Sequence, residues 1–598
     1  MGSLGSNTAE ASVVDVPVLV VGGGPAGLLL AYLLSKLDVP SLVIEKYPER
    51  LAAPKAHALS PRSLEICRQF GLDTRALRSI GTPRDDACWV NFVTNLSGER
   101  IGFLPYERMD AGVLDDTPEM LHNIPQPDFE QFVATELSQI PSVEIRKGVA
   151  FVSCQQTDAG VVTTVEERSS GRRHEVRSSY VVGCDGAKSA VREDLGIDCE
   201  GEDSYETMMT IHFRADIRDV VGARLGMLHW ILDPEVSGFI IAYDLSDNLV
   251  LIHEFDPEKH PVSTWNDALC RNVLSAAIGQ DIPTEVLSWR PWVLSRKVAK
   301  QYRKGNVFLA GDAAHSFPPT GGLGLNTGIA DVHNIAHKIA ATHHGWAGAA
   351  LLDSYGAERR HVAEVCAKQS SKNGVQIFSF LKMLGTADAA DVHEARAKLM
   401  SAIHDPGRRV EISKGVEAQR EHFDNLELHI GYVYGRQEVP PHASHYRPKF
   451  CAGARLPHAF VSFPGTMKRP RLAALDVSYI KEFSDAECAE RQYSTLDLCA
   501  PDAFTLLVGR REGEGHRGEA LRQQLAEYGV RLDVYVVGVD VALVHQKHKN
   551  LFESETGLSG GGGLLVRPDQ HILLRLLPTV SDEQARAQVL TYLGLNVI

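Results

Sequence analysis

A chain of 598 residues, 44% hydrophobic and 23% charged, has the composition of an ordinary globular protein with room for roughly two to four domains. A formal charge of −15 with no basic block excludes the nucleic-acid-binding classes. Ten cysteines without a CxxC pair or a zinc-site spacing read as reduced thiols of a cytoplasmic protein and predict no metal.

Met1–Val14 is polar and rich in small residues, and is expected to be a disordered leader. The apolar run Val16–Leu34 is broken by Gly22-Gly23-Gly24-Pro25, so neither a membrane span nor a signal peptide is expected. Val16–Val21 reads as a buried strand, turned by Gly22, Gly24 and Gly27 into a helix over Leu28–Leu37. A second strand, Ser41–Ile44, ends in Glu45. Strand, glycine turn, helix, strand and acid together form a dinucleotide fingerprint: the glycines admit a pyrophosphate to the helix N-terminus, and the acid meets a ribose hydroxyl.

The loop Pro54–Ser63 carries two cations, Lys55 and Arg62, placed to face phosphate or a flat cofactor, and His57, an imidazole able to accept a phenolic proton. A helix over Ser63–Phe70 follows. His122–Val133 reads as a loop entering a helix, with Gln126 as an amide for a ligand, while the sequon Asn95-Leu96-Ser97 is attributed to chance. Val149–Val182 is strand-like and leads into Gly183–Arg192, where Asp185 is expected to orient the cofactor's ribose or ribityl region. Arg192 is expected to anchor a loop or meet a pyridine nucleotide.

Alternating runs over 206–295 predict an antiparallel sheet that walls the ligand, with His229, Tyr243, His253 and Trp292 as candidates to face the pocket. Val307–Ala310 is a buried strand closed by Gly311 and Asp312, whose carboxylate suits a sugar hydroxyl. Pro318-Pro319-Thr320-Gly321-Gly322 is a rigid turn into a helix that begins near Gly324. Backbone N–H groups around Leu325 and Asn326 then present partial positive charge, which suits a ring that becomes anionic on reduction.

Helices are expected over Ser354–Lys372 and Ala389–His404, and a linker or wrapping segment over 431–455. Beyond it, strands at Phe504–Val508, Leu532–Val537, Gly563–Arg567 and Ile572–Leu576, with helices Gly518–Tyr528 and Asp582–Leu593, give a thioredoxin-like pattern over 456–598. Without CxxC that unit has no thiol redox chemistry, and its expected role is packing or assembly.

Gly22–Gly27 with Glu45, Gly183–Arg192, and Gly311–Asp312 with Pro318–Asn326 stand in an order that resembles the single-component (class A) flavoprotein aromatic hydroxylases. The resemblance reaches to about residue 420. The tail, with Ser494–Leu498 and Leu565–Asp569, is similar to the phenol hydroxylase branch, which includes chlorophenol and polyketide-aromatic hydroxylases. Lys55 and Lys188 depart from the family's usual arginines, which loses a bidentate fork, whereas His57 is shared with chlorophenol hydroxylases.

The resemblance implies an α/β fold: a Rossmann-type FAD-binding domain (15–205 and 296–430, with part of the substrate wall near 88–120), an inserted antiparallel-sheet substrate domain and a thioredoxin-like tail. It implies FAD, with NADPH or NADH as co-substrate, and ortho-hydroxylation of a phenolic substrate by O2 through a flavin C4a-hydroperoxide. Catalytic positions are then His57, Tyr243, His253 and Pro318. The cofactor falls to Gly22, Gly24, Gly27, Glu45, Lys55, Arg62, Gln126, Asp185, Gly311, Asp312, Gly321, Gly324, Leu325 and Asn326. No second Rossmann unit is visible, so transient NAD(P)H binding, flavin movement and a homodimer are expected. Baeyer–Villiger oxygenation of a cyclic ketone and a flavin-bearing interaction protein are the competing readings.

Overall fold

The computed structural model describes residues 14–49, 55–255, 258, 260–386, 389, 391–436, 438–464, 470, 472–510 and 518–595, with the side chains of 203–206 and 293 set aside. The expected leader, apart from Val14, and Pro54 therefore lie outside the described residues.

The first sheet runs in the order Arg303–Lys304, Val307–Leu309, Arg173–Gly183, Val14–Val21, Ser41–Glu45, Val143–Lys147, with a hairpin of Val149–Thr157 and Gly160–Glu167 added through Arg173–Gly183. The four strands Val307–Leu309, Arg173–Gly183, Val14–Val21 and Ser41–Glu45 are mutually parallel, and their near-continuous apolar residues are buried on both faces. The first strand begins at Val14, opposite Val176, two residues earlier than the apolar run alone indicated. Its helix likewise begins at Pro25 rather than Leu28, because proline has no N–H to leave unpaired in a first turn.

The second sheet has eight strands in the order His315–Ser316, Glu285–Ala299, Cys199–Arg214, Asn248–Glu254, Gly238–Asp244, Leu228–Ile231, Trp89–Val93, Arg100–Pro105. All neighbours are antiparallel except Leu228–Ile231 with Trp89–Val93. Strand period separates two cores. Val250, Ile252, Ile241 and Trp230 pack on one face with Phe92, Tyr106 and Phe423, while Leu249, Leu251, Ile240 and Met209 pack under the helix Asp267–Ile278.

The segment 431–455 is a packed strap rather than a loose linker: Tyr434, Ala443, Phe450 and Ala454 are buried, and Val433 bridges Ala454. In the tail, Phe504–Gly509 pairs parallel with Leu532–Val537 and antiparallel with Gly563–Val566, which pairs in turn with Ile572–Leu576. Among the described residues no helix is long and apolar enough to cross a membrane.

Candidate active site

The three glycine-bearing turns converge on the C-terminal ends of the parallel strands, where an open α/β sheet receives its ligand. A Cβ on Gly22 would overlap the Cys184 carbonyl, and one on Gly27 would overlap the Gly22 carbonyl, so both glycines are fixed by close backbone approach. Gly24 and Gly324 instead face open space. Each lies at the start of a helix, Pro25–Lys36 and Leu323–His343, whose N-terminus has no side-chain cap. Uncapped first-turn N–H groups beside an open glycine are two ready anion cradles.

The Glu45 carboxylate closes the strand end, accepting from Gly23 N (2.8 Å) and Tyr47 N (2.8 Å) while lone pairs remain for a ribose. Asp312 is exposed to the crevice, and the surrounding protein raises its carboxyl against the pull of His315 and Lys55. Gly311, at φ +58°, places its N–H 3.2 Å from Asp331 Oδ2. Asp331 is fully buried and also meets His315 Nε2 (2.7 Å) and Arg359 Nε (2.8 Å). These partners overcome burial and hold its carboxyl below the usual range. Two acceptor-rich ends and two donor-rich turns fit a flavin adenine dinucleotide.

The segment bearing His57 is stitched to the second cradle by Asn326. Its Oδ1 accepts from Ser60 N (2.8 Å) and Ser63 Oγ (2.6 Å), and its Nδ2 donates to the carbonyls of Ala58 (2.9 Å) and Gly322 (2.8 Å). The Asn326 side chain is thus a brace, and only its backbone is left for a ligand. Pro318 is buried beside this turn, whose Gly321 and Gly322 adopt φ of +92° and +62°.

His57 Nε2 lies 3.0 Å from Tyr106 Oη, and the imidazole meets the Tyr243 ring edge-on at 5.5 Å. Burial lowers the imidazole to about 4 and pushes both phenols up, so all three groups are neutral near pH 7. Tyr106 carried no sequence signal: it follows directly on the ordinary strand Arg100–Pro105. The residues after it, Glu107 and Arg108, hold φ of +47° and +54°, a region that non-glycine side chains avoid. Glu107 is buried, and burial with the nearby Asp424 charge keeps its carboxyl well above the usual range. Asn425, beside it, donates to the Gly321 carbonyl (3.3 Å).

Several expected site residues lie elsewhere. His253 is opposite Met209 and Gly238 and packs near Trp265 on the helix-covered face, its Nδ1 bonding the Ser237 carbonyl (3.2 Å). His229, opposite Ile240, shares that face, whereas Trp292, opposite Met208, stays with Tyr243 on the cofactor side. Arg62 is 2% exposed and is consumed by Glu65, Gln570 and the Asp569 carbonyl, so it cannot face phosphate or flavin. Asp185 accepts from Ser189 Oγ (2.5 Å) and Val191 N (3.2 Å), bonds that fix its half-buried carboxylate at the start of the helix Ala190–Asp194 and, as at Glu45, leave lone pairs for a ligand. Arg192 anchors the turn through the carbonyls of Ala313 and Ala187. Gln126 donates to Glu130 at the first turn of its helix, whereas Lys55 is exposed but stays near the crevice, its charge acting on Asp312.

Residues 15–370 match the family described as FAD binding domain. The chain is 30% identical over 584 residues to 4-methyl-5-nitrocatechol 5-monooxygenase of a Burkholderia species, covering 96% of each chain. It is 28% identical over 606 residues to 2,4-dichlorophenol 6-monooxygenase of Delftia acidovorans, covering 95% of this chain and 96% of that one. The solved structure of the flavin-dependent monooxygenase PieE with FAD and substrate superposes with a TM-score of 0.85 at 25% identity, covering 98% of this chain and 100% of that one. The chain belongs to the FAD binding domain family and is a single-component, FAD-dependent aromatic monooxygenase of the phenol hydroxylase type.

Proposed function

We propose that the chain hydroxylates a phenolic ring ortho to its hydroxyl, consuming NAD(P)H and O2 and releasing one water per dihydroxylated product. The observation that carries this reading is the neutral His57–Tyr106–Tyr243 group, one residue from the Ala58 carbonyl that Asn326 ties to the uncapped helix turn. Bound FAD, reduced by NAD(P)H, would supply the activation of O2. The Pro25 and Leu323 helix turns would hold its negative groups, Glu45 and Asp312 its sugar hydroxyls.

His57 serves as a neutral acceptor for the phenolic O–H, because an imidazole at about 4 keeps its lone pair near pH 7. Tyr106 Oη holds the ring at Nε2; with Nε2–H donating to that hydroxyl, Nδ1 keeps the lone pair that the phenol requires. Tyr243 and Trp292 form the apolar wall on the cofactor side, and Pro318 stiffens the turn between wall and cradle. These roles are part of the proposal, as are a homodimer and a cytoplasmic location. The names of the relatives favour halogenated or nitrated phenols as first substrates to try.

The test is NAD(P)H oxidation by the FAD-loaded protein with a panel of substituted phenols, followed by product analysis. Phenol-stimulated oxidation that yields a catechol-type product is expected, with His57→Ala lowering product formed per NAD(P)H consumed. A lactone from a cyclic ketone, or no ligand-stimulated turnover with any phenol, refutes it.

A further inference from the structure

The helix Pro61–Gln69, which leaves directly from the His57 segment, buries all nine of its residues. Four of its polar side chains are engaged by the C-terminal third of the chain. Arg62 donates to Gln570 Oε1 (2.6 Å) and the Asp569 carbonyl (2.9 Å). Glu65 accepts both arms of Arg455 (2.9 and 2.6 Å). Arg68 makes a fork onto Asp497 (2.8 and 3.0 Å), and Gln69 donates to the carbonyls of Cys499 (3.0 Å) and Pro568 (2.8 Å).

The same tail turn also touches the second helix that frames the site. Asn334 of Leu323–His343 reaches Asp569 Oδ2 (3.4 Å), and Arg567 shares Glu358 with Lys338 of that helix. The turn is held for this purpose: Gln570 adopts φ +63°, Arg567 grips Asp569 (3.0 and 2.6 Å), and Gln570 Nε2 is tied to the Leu496 carbonyl (3.1 Å). A glutamine in the left-handed region is disfavoured and persists only where its surroundings impose it.

We propose that the Arg567–Gln570 turn is a positioning element for the hydroxylation site. Seated between the two helices, it sets the spacing of the His57 segment from the flavin-side helix turn. This gives the tail a role in catalysis without thiol chemistry, and it rests on the hydroxylase reading given above. Gln570 is a positioning residue: it acts through Arg62 and the helix Pro61–Gln69, not on the substrate.

The experiment compares the full-length protein with Gln570→Met, which keeps the side-chain volume but removes the acceptor for Arg62. Two readouts are taken: amide hydrogen exchange over residues 57–70 and 320–330, and product formed per NAD(P)H consumed with the best phenol of the panel. Exchange at least tenfold faster in both segments, together with a threefold or greater loss of coupling and a raised KM for the phenol, is the expected result. Unchanged exchange, or faster exchange with coupling and KM as in the unsubstituted protein, overturns it, because a purely structural tail would lower stability alone. Should Gln570→Met fail to fold, Gln570→Asn suits the left-handed backbone but falls a methylene short of Arg62, and the same two readouts decide. If no phenol is turned over even by the unsubstituted protein, the hydroxylase reading fails while the exchange measurement still shows whether the turn holds the two segments.

Discussion

Asn326→Ala separates a brace from a ligand contact. The side chain is 6% exposed and makes four hydrogen bonds, to Ser60 N, Ser63 Oγ and the carbonyls of Ala58 and Gly322. At about 1 kcal/mol for each buried bond lost, the sum is about 4 kcal/mol. Alanine's better helix propensity returns about 0.5 kcal/mol, and Ser63 can turn to Ser60 Oγ, leaving a net loss of about 3 kcal/mol. The functional effect is larger than the stability figure suggests, because the released strand carries His57. A displacement of about 1 Å in a reacting group costs on the order of 10²-fold in rate. The assay is urea unfolding of the FAD-loaded protein beside steady-state kcat/KM and coupling for the best phenol. Asn326→Asp keeps both acceptor contacts while facing two carbonyls with an oxygen, and is expected to fall between the two. An Asn326→Ala protein that loses the stability but keeps kcat/KM and coupling within twofold would refute the idea that this side chain places His57.

Three further outcomes follow from the same geometry. Asp331→Asn strands the buried Arg359 and turns an N–H2 toward existing donors, so a loss of about 3–5 kcal/mol is expected by denaturant unfolding. The folded Asp331 carboxyl lies below its unfolded value of about 3.9, so its stabilisation is complete above that pH and fades as pH falls through the lower folded value, which an acid-unfolding curve of wild type against Asp331→Asn would show. Gly24→Val meets no protein atom within 4 Å of its added Cβ and should leave apoprotein unfolding unchanged while weakening FAD binding at least a hundredfold. Gly22→Ala, forced against the Cys184 carbonyl at φ +112°, should instead destabilise the apoprotein itself. Finally, His253→Gln should leave KM for the phenol within twofold, since His253 lies on the far face, whereas Tyr243→Ala, which removes the wall ring beside His57, should shift it severalfold.

The parallel core and the cradles were legible in the sequence because each rests on local chemistry: an apolar run, glycines whose spacing is set by backbone contacts, and a helix that follows at once. Boundaries moved by two or three residues where proline or a paired edge extended an element, as at Pro25 and Val14. The wall of the site was legible as a sheet but not as a pair of faces. Tyr243 and His253 sit on neighbouring strands, and the register that sets Gly238 opposite His253 decides which side each faces; alternation within a single strand does not supply that. Tyr106 needed the pairing of Trp89–Val93 with Arg100–Pro105, which brings a strand end to His57 from 49 residues away. Arg62 was read as a ligand group because a cation in the loop Pro54–Ser63 suits phosphate or a flat cofactor. Its actual partners, Gln570 and the Asp569 carbonyl, depend on tertiary docking of the tail.

The tail docks through apolar surface at Ala341, Ala347 and Leu351, but it meets the helix Pro61–Gln69 through buried charge, which has its own consequence. Arg68 and Asp497 are 7% and 3% exposed in their side chains and form a two-bond fork across the interface. Taking both charges from water costs several kcal/mol, which the fork and its accessory bond to the Ala473 carbonyl largely offset, so the pair adds little net stability. What it adds is direction: a fork is satisfied in one relative placement of the helix Pro61–Gln69 and the Thr495–Leu498 turn, whereas apolar side chains would pack nearly as well after a small slide. Arg68→Leu alone leaves Asp497 buried and unpaired and should cost about 3–5 kcal/mol. Arg68→Leu with Asp497→Leu should recover most of that stability in urea while coupling stays below that of the unsubstituted protein, because the helix beneath His57 is no longer held in one register. A double variant as unstable as the single one would show that the pair is a net stabiliser, and one with full coupling would show that the register is set elsewhere.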